Sequence, residues 1–492
     1  MNEPMTEVDD HFPIDPRFLE LHHELRHVVL SGIGSLNPSP SRWPAPEPGP
    51  TDYTTPDPTP NTVFDGPSPD FSAVDIPRTR LIRYLQNWVT VCAPILDKHD
   101  TNLQFQIQVP IIARSSPAVL YAMLTFSSRQ MERRGAAEVE GCYDSPELYQ
   151  KSIRLLSTAL QAQDSNVLVA ACILAAFELM SWNSTNWRRH LEGCAALLDF
   201  FGVNGFSGGI AQAMFWCYAR MEVCGAIISD GTETAVLHVS KWVPATLSMP
   251  STMTSNEDSE FVRALLHHYG REWHPDMHAN WATYLCAKVC DLRFRRTQHI
   301  ELGKPDAQDS RPFSDHWYQL WRELQRWAEE RPPAMLSMPN IMSDQQQNPT
   351  PFPLILFSHN SAISGNQLYH TACILMLEMR PPVLTPAQAI SAPASSPIWH
   401  ARRICGISCT NPHKGSRIEA IQPLYIAGRL FTHVSERMEI SRLLRTISRN
   451  TGWGAWWRLR DLEAEWGCEY DETLTASSQP DQSSRVPKSV ST

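Results

Sequence analysis

Residues 167–180 read VLVAACILAAFELM, with Glu178 as the single charged side chain. Asp164 and Ser165 stand just ahead as an N-cap pair, so the segment is expected to be a helix that is apolar nearly all round. Such a helix is stable only when other helices enclose every face of it. That requirement commits the chain to a multi-helix body. The longest apolar run, Val167 to Phe177, is too short for a bilayer, which takes about 20 residues, so the enclosing medium is expected to be protein.

The surrounding sequence supplies the partners. Leu81, Leu85, Trp88, Val89 and Cys92 recur at three and four until Pro94 interrupts. Trp317, Leu320, Trp321, Leu324 and Trp327 line one helical face, with Gln319, Arg322, Glu323 and Arg326 opposite. Ile440, Leu443, Leu444 and Ile447 make another stripe, and Trp456, Leu459, Leu462 and Trp466 the next. Alternating runs are few and no fixed-period repeat is present. The pattern predicts an all-α fold with one large multi-helix domain over residues 78–470. Residues 1–36 are expected to hold one short helix around FLELHHELRHVVL. Residues 37–77 are dense in proline and expected to form a disordered linker. The low-complexity tail 471–492 is expected to be disordered.

Charge narrows the function. The 492 residues carry a formal net charge of -10, which argues against a surface built to neutralise phosphates. The basic doublets Arg133-Arg134, Arg188-Arg189, Arg295-Arg296 and Arg402-Arg403 are dispersed and are read as helix faces or inter-helix ion pairs. They make no evident nuclear import signal. The opening MNEPMTEVDDHF has no secretory character. The 12 cysteines are scattered singly, as expected for small buried thiols such as Cys172, Cys194 and Cys286 in a soluble intracellular protein.

Several motifs touch on chemistry. His23, Glu24 and His27 form H-E-x-x-H, whose spacing puts two imidazoles on one helix face for zinc, with the glutamate as base. It precedes a proline-rich stretch, and a chance match is the preferred reading. Ser207 sits in G-x-S-x-G, but a nucleophile elbow needs a strand before the serine, and HLEGCAALLDFFGVN reads as helix. Cys405, Cys409 and His413, and Cys286 with Cys290, are read as structural. No glycine-rich phosphate loop occurs. No catalytic, cofactor-binding or metal-ligating residue is assigned, and the hydrolase reading through Ser207 or His23, Glu24 and His27 stands only as an alternative.

Longer segments carry more weight. LIRYLQNWVTVCAPILDKHD at 81–100, the stretch 186–234 around HLEGCAALLDFFGVNGFSGGIAQAMFWCYARMEV, SSPIWHARRICGISCTN at 395–411 and LLRTISRNTGWGAWWRLRDLEAEWGCEYD at 443–471 resemble the regulatory domain of fungal zinc-cluster transcription factors. Their order and spacing are similar to the family's between Leu19 and Tyr470. The resemblance implies a nuclear, non-enzymatic transcriptional regulator of a metabolic or secondary-metabolite gene cluster. It implies protein partners, among them zinc-cluster factors or a second copy of the chain, a possible small-molecule effector, and no membrane. Such proteins usually begin with six thiolates holding two zinc ions. No such cluster is found here, so the expectation is a regulatory domain without its own DNA reader, reaching DNA indirectly or through a missing N-terminal domain. A pure interaction scaffold without transcriptional output is the other alternative.

Overall fold

The computed structural model describes residues 16–35, 75–136, 141–162, 164–181, 187–244, 275–304, 311–339, 350–382 and 393–468. All but the last three residues of the proline-rich stretch and all of the tail 471–492 lie outside them. Among the described residues every regular element is helical.

The first half runs α1 (Pro16–Ser35), α2 (Arg78–Asn87), α3 (Ala93–Leu96), α4 (Gln104–Ala113), α5 (Pro117–Arg133), α6 (Ser145–Gln161), α7 (Val167–Ser181), α8 (Trp187–Phe200) and α9 (Gly209–Ile228). The second half runs α10 (Pro275–Arg295), α11 (Phe313–Glu329), α12 (Asn360–Glu378), α13 (Pro397–Thr410), α14 (Lys414–Glu419), α15 (Ile421–Gly428), α16 (Val434–Thr451) and α17 (Trp456–Trp466). Helix α7 is the enclosed helix its sequence demands. It packs on α5, α6, α8 and α9, and Val169, Ile173, Leu174 and Phe177 are wholly buried. In the second half α12 takes that place, among α10, α11, α13 and α15. Helix α1 is part of the same body, since Leu21, Leu25 and Val29 bury its inner face against α6 and α8.

Buried tryptophans pin elements together. An indole offers a large apolar body and one N–H that needs an acceptor. Trp88 donates to Phe105 O (3.2 Å), Trp317 to Met376 O (2.7 Å) and Trp327 to His278 O (2.9 Å). Trp317 also stacks on Trp321 at 5.5 Å. Polar links join distant parts of the chain in the same way. Asn87 donates to Gln130 Oε1 and Gln130 donates to Thr451 O, both at 3.0 Å.

Three local expectations change. The segment 81–96 stays helical through Pro94, because a π turn over Trp88–Cys92 precedes it and α3 begins at Ala93. Proline is tolerated in a first helical turn, where its missing N–H leaves no bond unmade. Val89 lies at the edge of the inner face set by Leu81, Tyr84 and Trp88, and is 39% exposed, while Tyr84 is fully buried. Glu323, expected on the polar face of α11, is buried instead and accepts from Lys288 Nζ of α10 at 2.9 Å.

Candidate functional site

Where α3, α7, α9, α14, α15 and α17 meet, the described residues leave a pocket of about 120 Å³. Most of its wall is apolar: Met221 and Ile228 of α9, Leu179 of α7, Ile418 of α14, and Trp453 and Trp457, just before and in α17. Leu179, Ile228, Trp453 and Trp457 are only half-buried and mark its solvent side. A pocket with apolar walls and a few convergent polar groups is the usual form of a small-molecule site.

Three charged side chains line the pocket. Lys98, just past α3, pairs with Glu419 of α14 at 3.4 Å, and each side chain is 10% exposed. Arg220 of α9 is 8% exposed, and its Nη2 donates to Leu96 O at 3.1 Å. No carboxylate among the described residues lies within ion-pair distance of Arg220. Burial alone raises a carboxyl pKa, yet the facing Lys98, His99 and Arg220 outweigh it and bring Glu419 down to about 2. Burial moves Lys98 the other way, below its ordinary value, against the pull of Glu419. His99, 3.6 Å from Glu419, is likewise lowered by burial. Behind this wall the carboxylates are engaged elsewhere. Asp276 accepts from Thr101 N and Ser361 Oγ, and Asp100 accepts from the Asn102 and Gln104 amides. The Cys217 thiol, also on the wall, is lowered by its hydrogen bond with Cys172 and by Arg220 and Lys98.

A second buried cluster lies between α12 and α13. Arg403 Nε donates to His370 Nε2 (3.3 Å), which puts the His370 proton on Nδ1, facing His400 Nδ1 at 2.8 Å. The His400 proton is then on Nε2 and meets Ala394 O at 3.0 Å. All four ring nitrogens are used, leaving none to ligate a metal. Burial keeps both rings neutral, His400 down to about 4.

The motifs picked out in the sequence lie elsewhere. His23, Glu24 and His27 are on the exposed face of α1, opposite Leu21, Leu25 and Val29. Among the described residues no group of three His, Cys, Asp or Glu side chains is placed to hold a metal. Ser207 stands in the turn between α8 and α9, where its Oγ accepts from Asn204 N at 2.9 Å. A helix precedes it where an elbow needs a strand. Gly205 of the same motif is set by packing, since a Cβ there would lie 2.5 Å from the Trp216 ring. Cys405 is buried within α13, and His413 caps α14 by accepting from Ser416 N at 3.2 Å. The pocket residues Lys98, Arg220 and Glu419 belong to no motif. The available signal was a charge inside an apolar helix, as with Arg220 in IAQAMFWCYARMEV.

Comparison with known proteins places the whole domain. The transcription activator AMTR1 of Alternaria alternata is 23% identical over 349 residues, covering 63% of this chain and 45% of that protein. The chain therefore spans less than half the length of this curated relative. No solved structure matches it. No helix among the described residues is long and apolar enough to cross a membrane. The profile of the fungal-specific transcription factor domain matches residues 83–462, which takes in both buried clusters and the pocket. The chain belongs to the fungal-specific transcription factor domain family.

Proposed function

We propose that this protein acts in the nucleus on the genes of a metabolic or secondary-metabolite cluster, with the helical domain over 78–470 as its regulatory unit. Its output passes through protein partners, either zinc-cluster factors or a second copy of the chain. Promoter contact comes from such a DNA-bound partner or from a zinc cluster outside this sequence. The pocket is the effector site. The observation that carries this reading is where the pocket lies: its wall joins α3, near the start of the domain, to Trp453 and Trp457, near its end. An occupant there touches elements from both ends at once. A ligand that binds one packing of those elements better than another shifts the balance between them.

The test is a reporter assay with the full chain tethered to a heterologous DNA-binding module. Reporter output that departs several-fold from that of the module alone, in either direction, is the expected result. Output equal to the module alone, with the fusion intact and in the nucleus, overturns the regulatory reading.

A further inference from the structure

We infer that the pocket between α9 and α14 takes a compact monocarboxylic acid, its carboxylate seated on Arg220 beside Lys98 and its hydrocarbon body against Met221, Ile418 and Trp457. The inference rests on the regulatory reading only in calling the ligand an effector.

Charge balance comes first. The wall carries two cations, Lys98 and Arg220, against one carboxylate, Glu419. Glu419 is taken by Lys98 at 3.4 Å, and the Asp100 and Asp276 oxygens are held by amides and hydroxyls off the wall. Arg220 is left more than nine-tenths buried with a backbone carbonyl as its hydrogen-bond acceptor. Glu419 acts on Arg220 only from beyond ion-pair distance; a buried guanidinium with no anion in contact is costly, and its planar fork matches a carboxylate with two parallel hydrogen bonds. With the Cys217 thiol protonated, one negative charge balances the wall, and a second would leave it in excess.

Size and polarity set the rest. A cavity of about 150 Å³ accepts benzene, so the 120 Å³ here, open on its solvent side, suits a short branched chain or one small ring that reaches toward solvent. Beyond the three charges the wall is mostly aliphatic and aromatic, which disfavours a sugar or a polyol. The half-buried Leu179, Ile228 and Trp457 give the acid a way in.

The experiment is calorimetric titration and thermal denaturation of the full chain near neutral pH with benzoate and 4-methylpentanoate, each beside its neutral amide. The expected result is saturable binding and a raised Tm with an acid, and at least about tenfold weaker binding of its amide. Arg220→Gln should cost the acids a similar factor and leave the amides unchanged. Ile228→Trp, which fills the solvent side without touching a charge, should abolish binding of both. The acid–amide comparison uses the native chain, so it stands even if Arg220→Gln fails to fold. Equal binding of acid and amide, or no binding of either acid, overturns the inference. Tethered-reporter activity without acid binding overturns the ligand class alone, whereas acid binding with a silent reporter confirms the ligand class and removes the regulatory reading.

Discussion

Glu222 and Glu419 are both carboxylates that the bundle takes out of water, and they reach opposite states. Glu222 projects from α9 among neutral donors: the Tyr218 hydroxyl and the amides of Val236 and Leu237. Burial dominates there and raises its carboxyl to about 7. Glu419 is also buried, but Lys98 and Arg220 face it, and it falls to about 2. Burial alone therefore does not decide ionisation in this interior. What decides it is whether a cation shares the burial. The pocket side holds one such group of buried charges, and retaining them costs stability unless every one is matched.

The largest expected effect strands one of those charges. Glu419→Ala leaves Lys98 buried without its partner and should lower the unfolding free energy by about 4 kcal/mol in urea titrations. Removing both ions sharpens the point. Lys98→Met with Glu419→Met should recover most of that loss, to within about 1 kcal/mol of the parent. A double variant as unstable as the single one would break the comparison, since the cost would then lie in packing.

The two carboxylates also pull the pH dependence in opposite directions. The folded pKa of Glu222 lies above its unfolded value, so its contribution is fullest at acid pH and is lost as pH rises through about 7. The folded pKa of Glu419 lies below its unfolded value, so its contribution is present at neutral pH and is lost as pH falls toward about 2. Glu222→Gln should therefore flatten the decline in stability between the ordinary carboxylate range and neutrality, by on the order of 2 kcal/mol. Chemical denaturation at a series of pH values reads this directly.

Smaller effects belong to the apolar side. Ile173→Val in α7 deletes one buried methyl and should cost about 1 kcal/mol. On the surface, Arg442→Ala removes a pair with Glu439 in which the arginine side chain is 53% exposed, and should cost no more than about 0.5 kcal/mol. A surface loss that rivals the core loss would show that the helical centre is less tightly packed than its burial indicates.

The sequence by itself determined the helices and their inner faces. The stripes through Trp317 to Trp327 and Ile440 to Ile447 are buried as their spacing requires, and α7 is enclosed as its composition requires. These features follow from a period of 3.6 residues and the transfer of apolar surface, both local to one element. Local rules missed the exposure of Val89, which lies at the edge of the face that Tyr84 and Trp88 bury. They also missed the histidines that cap α12, α14 and α16, because the usual start signals are Ser, Thr, Asp and Asn. The tertiary structure alone decided the pocket. Lys98, Arg220 and Glu419 come from three separate stretches of chain, and a charge in sequence carries no mark of the charge it will face. Coulomb coupling acts through distance in space, and only the packing of α3, α9 and α14 sets that distance.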